Sequence, residues 1–273
     1  MKEFLKHFLS AIAAMSAFAT LITFLLSFKI HLVAFVIAVA IIVIAVGYAY
    51  YQVRPINNLT LNIHDTLKVT IKEGDLFDQR QNSVIVIPVN EYFDTIVDNK
   101  IIAHNTIHGI FIDKYFQNRL DELNSKIQNG LSHRNDAICI SNRMRGNKNK
   151  YPLGTCISIE EGGNEYILWA FTHFDENNKA FVGLEEFESA FKGLTQTIQY
   201  IANNRSVYMP LFGSGQSGLK KSSQRILGYI LHSLEFNHPN LGIPEGLFVI
   251  IKDMSKKNIN LTHIKKMWHY SFI

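Results

Sequence analysis

Two long apolar stretches limit what this chain can fold into more than any other feature. From Phe8 to Phe28 no charged residue occurs over about 21 positions, and Leu32 to Tyr51 repeats this over about 20. As helices rising ~1.5 Å per residue, each is long enough to cross a hydrocarbon core of ~30 Å. Only Lys29, Ile30 and His31 separate them. Helices joined so tightly must run antiparallel, as a hairpin whose backbone groups are satisfied internally. Lys2 and Lys6 precede the first span, Arg54, Lys68 and Lys72 follow the second, and Lys29 alone marks the tip. The positive-inside rule then puts both termini in the cytoplasm, with Tyr48, Tyr50 and Tyr51 as interfacial anchors. A cleaved signal peptide is the competing reading, since Ala17-Phe18-Ala19 resembles a cleavage site behind a basic start. The apolar run passes well beyond Ala19, however, and a second full span follows at once.

Small residues form stripes, with Ser10, Ala13, Ala17 and Thr20 on one helix face and Ala34, Ala38, Ala45 and Ala49 on the other helix. Such faces let helices approach closely in lipid, either between chains of an oligomer or only to close the hairpin. Neither span holds an acidic or basic residue, which argues against an ion-coupled transporter.

Arg54-Pro55-Ile56-Asn57-Asn58 is a polar break, giving an expected hairpin over 1–54 and a soluble domain over 55–273. The second part is long enough to bury a substantial core. The net charge of +4 is spread along the chain, so no nucleic-acid partner is expected. The densest basic group, Arg143, Arg145, Lys148 and Lys150 around Gly146, reads as a solvated loop. Cys139 and Cys156 sit in no metal spacing and read as two reduced thiols, with a single disulfide as the alternative; no metal or cofactor is expected.

Within the soluble part, Lys68 to Ile71 alternates like a strand, and Val84-Ile85-Val86-Ile87 reads as a strand buried on both faces. Thr106 to Ile127 has helical spacing, as do Leu184 to Ile201 and Leu219 to Leu234. Thr155 to Glu160 and Tyr166 to Phe171 flank Gly162-Gly163-Asn164, a hairpin signal, and Val207 to Met209 and Leu247 to Ile251 are further strands. Strands alternating with helices predict a layered α/β fold, and the hairpin makes its sheet mixed.

Four segments carry candidate chemistry. Leu211-Phe212-Gly213-Ser214-Gly215-Gln216-Ser217-Gly218 follows a strand and opens the expected helix. Glycines let backbone N–H groups approach an anion, and the helix terminus adds partial positive charge. Gly213, Gly215 and Gly218 satisfy GxGxxG, but the motif lies late in the chain and lacks the acid a Rossmann site needs ~20 positions on. A generic phosphate loop is the better reading, beside that of a structural turn. Asn90 ends the buried strand, where open α/β sheets place ligands, and suits a ribose hydroxyl or a turn. Asp94 follows it. Thr106 is a candidate helix cap, and His108 in the next turn is either a ligand contact or a surface histidine. Asp75, after the first of these strands, can accept from an exocyclic amine or simply shape the turn.

Together these segments resemble a macro domain, the ADP-ribose-binding module. Gly74-Asp75 looks like that family's early Gly-Asp at the adenine, Asn90 like its strand-end asparagine at the distal ribose, and Pro210 to Gly218 like its second phosphate loop. The likeness covers most of residues 65–260. It is closer still to the two-helix membrane effectors of type II Thoeris anti-phage defence. That likeness rests on the stretch from Pro88 to Thr95, on Thr106-Ile107-His108-Gly109, and on Tyr151-Pro152-Leu153-Gly154-Thr155, all behind a hairpin anchor. The resemblance implies a three-layer macro domain with a mixed sheet. It implies an ADP-ribose-derived ligand, histidine–ADP-ribose, made from NAD by a partner TIR enzyme once phage is sensed. The bound effector, a homo-oligomer in the bacterial inner membrane, would act on membrane lipid and disrupt it. The implied contacts are Asp75, Asn90, Asp94, Thr106, His108 and the residues from Leu211 to Gly218. One departure stands out: macro domains that hydrolyse ADP-ribose often carry a glycine run after the strand-end asparagine, and Glu91 to Asn105 contains no glycine. That favours a binder without catalytic residues; a membrane-tethered ADP-ribosyl hydrolase using Asp94 is the alternative.

Overall fold

The computed structural model describes residues 2–26, 31–175, 179–213, 219 and 221–270. They form two compact units, Met1–Ile56 with Leu261–Ile273, and Asn57–Asn260. In the first, α1 (Lys2–Leu26) and α2 (His31–Val53) pack together as a hairpin, and both are long and apolar enough to cross a membrane. Of the expected α2 stripe Ala45 and Ala49 are fully buried but Ala34 and Ala38 are exposed, and Ser10, Ala13, Ala17 and Thr20 are exposed on α1. A short helix from the chain's end, which will be α7, completes this unit.

The second unit is a mixed sheet between two helical layers. Its strands are β1 (Asn58–His64), β2 (Leu67–Glu73), β3 (Val84–Asn90), a small outlying pair β4 (Ile138–Cys139) and β5 (Asn149–Lys150), β6 (Cys156–Glu161), β7 (Asn164–Phe174), β8 (Ala180–Phe181), β9 (Val207–Pro210) and β10 (Ile243–Ile251). Its helices are α3 (Ile107–Phe116), α4 (Leu120–Leu131), α5 (Leu184–Ile201) and α6 (Ser223–Phe236); α7 (Leu261–Tyr270) belongs to the first unit. The main sheet runs β1-β2-β10-β9-β3-β7-β6, with β8 beside β7. The strands β2, β10, β9, β3 and β7 are parallel, and β1, β6 and β8 are antiparallel to their neighbours.

Alternation explains the layers. Ile85, Ile87 and Val89 of β3 and Tyr166, Leu168 and Ala170 of β7 face one way, into a core with Phe111 and Phe116 of α3 and Leu123 and Ile127 of α4. On the opposite face Trp169 donates from Nε1 to the Ala190 carbonyl of α5 at 2.9 Å and meets Phe212 edge-on. Both faces of β3 and β7 are therefore covered, which is why those strands read as nearly unbroken apolar runs.

The structure departs from the sequence expectations at several points. The single helix expected over Thr106 to Ile127 is two, because α3 packs on β3 and α4 on β6, two strands away, which one straight helix cannot do. Arg119, with non-helical φ −136°, closes the break by donating from Nη2 to the Tyr115 carbonyl at 2.5 Å. The helix expected from Leu219 begins instead at Ser223, after Ser222 in extended conformation. Strand β1, with Leu59, Leu61 and Ile63 alternating inward, was not anticipated. Both cysteines are free; burial pushes the Cys156 thiol up to about 12, leaving it inert.

Candidate functional site

The parallel strands all end on one edge of the sheet, where the chain leaves at Gly74, Asn90, Phe174, Pro210 and Ile251. A cleft of about 720 Å³ opens along this edge. The end of β3, the start of α3, the end of β7 and the stretch from Pro210 to Gly213 form its walls. Among the described residues the lining contributes Lys100, Lys179 and Lys257 but no aspartate or glutamate. A cavity of this size suits a nucleotide-sized ligand, and its charge favours an anion.

Asn90 reaches this cleft from the end of β3 and is held by its own turn. Its Oδ1 accepts from the backbone N–H of Tyr92 at 3.0 Å and of Asp94 at 3.4 Å, and Nδ2 donates to Asp94 Oδ2 at 3.2 Å. One amide N–H therefore remains for a ligand. The turn is strained: Phe93 is buried with φ +50°, a conformation that costs a non-glycine residue about 1–2 kcal/mol. The loop between β4 and β5 locks it. Asn147 donates to the carbonyls of Tyr92 at 3.1 Å and Phe93 at 2.9 Å. Arg143 makes a two-pronged bond to Asp94 at 3.0 and 2.7 Å and lies 3.7 Å from the Tyr92 ring centre.

Asp94 also accepts from Asn147 N–H at 2.7 Å, so all its oxygens are engaged, and it is absent from the cleft lining. Gly146 permits that approach: its φ is +81°, and a Cβ there would stand 2.3 Å from Asp94 Oδ1. The basic group read as a solvated loop is therefore partly buried, because Arg143 pairs with Asp94, Arg145 with Asp98 and Lys150 with Glu91.

The start of α3 forms the facing wall. Thr106 caps it, accepting from Gly109 N–H at 3.0 Å while donating to the Ala103 carbonyl at 2.7 Å. The first N–H groups of the helix, at Ile107 and His108, have no partner within it and border the cleft. His108 lies against the cleft, nine-tenths buried, and burial alone pushes its pKa down to about 3. The ring is thus neutral near pH 7, offering one donor and one acceptor.

Beside the cleft, a charged chain braces β7. His173 donates to Glu91 at 2.7 Å and to Glu186 at 2.9 Å. The Glu91 hydrogen bond holds His173 above its ordinary range, opposed by burial. Burial pushes Glu91 up, yet its bond to His173 and the imidazolium charge outweigh this and leave the carboxyl low.

The structure thus brings Asn90, Thr106, His108, Leu211, Phe212 and Gly213 together around one cleft. Asp75 lies outside its lining; its Oδ1 accepts from Phe77 N–H at 2.8 Å, shaping the turn after β2. Ser214, Gly215, Gln216, Ser217 and Gly218 lie outside the described residues. Sequence reasoning missed the three lysines, which belong to no motif, and Phe171 and Thr172, which the strand-end position of β7 could have indicated.

Comparison with known proteins bears on this geometry. A family model described as Thoeris protein ThsA, Macro domain, matches residues 69–252. The Thoeris protein ThsA of Bacillus amyloliquefaciens (strain Y2) is 28% identical over 271 residues, covering 97% of this chain and 90% of that protein. The solved Oceanobacillus iheyensis macrodomain with ADP aligns at TM-score 0.51 and 14% identity, covering 78% of this chain and 97% of that one. A mutant of the same macrodomain with ADPR aligns at TM-score 0.50 and 14% identity, covering 78% and 99%.

Proposed function

From the premise that this chain belongs to the ThsA macro-domain family of Thoeris proteins, we propose that it is a membrane-anchored effector gated by an ADP-ribose-derived signal. The observation that carries this reading is the strand-edge cleft of about 720 Å³, lined by three lysines and the start of α3, with no carboxylate among its described lining residues. A diphosphate fits the chemistry of that wall, since lysines and unpaired helix N–H groups both favour phosphate oxygens. Asn90's remaining N–H and the neutral His108 supply directional contacts for hydroxyl-bearing parts. The ADP and ADPR seen with the solved macrodomain are consistent with this ligand class.

The signal is histidine–ADP-ribose made by a partner TIR enzyme, as the Thoeris resemblance implies. The hairpin holds the protein in the inner membrane with the domain in the cytoplasm. Bound ligand favours one arrangement of the chains, the exposed face of Ser10, Ala13, Ala17 and Thr20 packs between copies, and the membrane is breached. Asp94, with every oxygen engaged by Arg143, Asn147 and Asn90, supports binding over hydrolysis through that residue.

The test is calorimetry and thermal shift of the detergent-solubilised full chain with ADP-ribose and with its histidine conjugate. Saturable binding, tighter for the conjugate and with the ligand recovered intact, is expected. No heat and no shift with either would end the reading.

A further inference from the structure

Resting on the ADP-ribose reading, we propose that Arg143 and Asn147, in the loop between β4 and β5, are positioning residues for the ligand's second sugar. Acting through Asp94 and its turn, they fix the Asn90 amide so that it offers the cleft a donor, and this selects a ribose beyond the diphosphate. Neither Arg143 nor Asn147 lines the cleft, whereas Asn90 does. Their effect on a ligand therefore has to pass through the Asn90 turn.

The surroundings leave that amide one orientation. Its Oδ1 accepts from the N–H groups of Tyr92 and Asp94, and its Nδ2 donates to Asp94 Oδ2. Turned over, it would set an oxygen against the carboxylate and an NH2 group against two N–H groups, losing every one of these bonds. The orientation holds only while the Asp94 carboxylate stays in place. Asp94 Oδ1 accepts from Arg143 Nη1 at 3.0 Å and from the Asn147 N–H at 2.7 Å, and Oδ2 accepts from Arg143 Nη2 at 2.7 Å. Arg143 Nη1 also donates to the Asn147 carbonyl, so the loop closes on itself around the carboxylate. The Asn147 side chain in turn donates to the carbonyls of Tyr92 and Phe93, holding the strained backbone of that turn. Asp94 is fully buried and Arg143 nearly so, which strengthens these bonds against competition from water.

The same loop steadies a second turn of the cleft lining. Arg145 Nη2 donates to Asp98 Oδ2 at 2.7 Å, and Asp98 Oδ1 accepts from the N–H groups of Lys100 at 2.9 Å and Ile101 at 2.8 Å. Lys100 and Ile101 both line the cleft. The β4–β5 loop thus ties two cleft-lining turns together from behind. An amide fixed as a donor is satisfied only by an oxygen with a free lone pair. The second ribose of ADP-ribose carries hydroxyl and ring oxygens of that kind, whereas ADP ends at its diphosphate. Holding a donor in place before the ligand arrives is the form of preorganisation that raises affinity without a new contact.

Calorimetric titration of the detergent-solubilised full chain with ADP-ribose and with ADP tests this. Arg143→Lys keeps a positive charge opposite Asp94, so no buried carboxylate is left alone, but a single ammonium cannot reproduce the two-pronged bond. It should weaken ADP-ribose about tenfold while changing ADP by less than about twofold. Asn147→Ala, which frees the carbonyls of Tyr92 and Phe93, should give the same selective loss. Asn90→Ala should show it too, and Arg143→Lys added to Asn90→Ala should weaken ADP-ribose no further, because the arginine acts only through that side chain. ADP serves as the folding control in every variant. Equal losses for both ligands, no loss for either, or additive losses in the double variant would refute the positioning role and leave the binding reading standing. An unmutated chain that binds neither ligand would remove the binding reading, and the positioning role with it.

Discussion

Burial keeps the His108 imidazole neutral down to a pH of about 3 in the folded chain, whereas the unfolded chain protonates it near 6.5. The folded pKa is depressed, so the unfolded state takes up more protons below 6.5. Its contribution to stability is complete above pH 6.5 and falls by about 1.4 kcal/mol per pH unit down to about pH 3. His108→Leu should flatten that part of the profile when denaturant unfolding is followed from pH 7 to 4, and should weaken ADP-ribose binding at pH 7. Equal slopes for the two proteins would show that the ring titrates normally. Asp94 and Arg143 give a second prediction. Both side chains are nearly or fully buried, so Arg143→Met leaves a lone buried carboxylate and should cost about 3–5 kcal/mol. The double variant Asp94→Leu, Arg143→Met should lose less than the sum of the single losses, which thermal unfolding of all four proteins will measure. This pair was not legible in the sequence. Its members stand 49 positions apart, and a basic loop and a post-strand aspartate each have ordinary solvated explanations. Asn90 was legible, because a strand buried on both faces announces where it ends.

At the scale of elements, α3 is the piece whose placement matters most to the cleft. A Cβ at Gly109 would stand 2.2 Å from the Ala103 carbonyl oxygen, a backbone atom that cannot swing aside. Gly109→Ala should therefore push α3 off its loop, costing about 1–3 kcal/mol and lowering ADP-ribose affinity as the helix N–H groups shift. Gly228→Ala in α6 is the matching control: nothing lies within 4 Å of its Cβ position, and a helix gains about 0.5–1 kcal/mol from alanine. Melting curves and titrations of the two variants separate steric displacement from a general response to alanine. The periodicities that made α5, the β6–β7 hairpin and β3 readable are local properties of the chain. The break between α3 and α4 was hidden because both helices keep apolar spacing across it; only the need to reach β3 and β6 separately forces it. The start of α6 at Ser223 is not visible in the apolar spacing, which begins at Leu219; it is set by the extended backbone of Ser222. The lysines of the cleft come from three unrelated loops, and no spacing rule could have gathered them.

For the whole molecule, ligand binding and the anchor should separate in unfolding. The hairpin's backbone bonds are closed within its two apolar helices, so in a bilayer they would hold independently of the cleft. The sheet unit, by contrast, owes its stability to the layered core around β3 and β7, and the cleft is built from the ends of those same strands. A ligand that binds only the folded sheet unit stabilises it by RT ln(1 + [L]/Kd), about 2.7 kcal/mol at a hundredfold excess over Kd. For a unit of roughly 200 residues this corresponds to a rise in Tm of about 5–10 °C. Trp169 is fully buried in this unit, packed on Phe171 and Phe212, so with the second tryptophan removed by Trp268→Phe its fluorescence reports the transition. In nanodiscs, ADP-ribose should raise the Trp169 transition by that amount while the helical circular dichroism left by α1 and α2 persists above it. A transition unmoved by ligand, in a protein that calorimetry shows to bind it, would mean that the ligand does not rest on the folded strand edge, and would place the binding surface elsewhere on the chain.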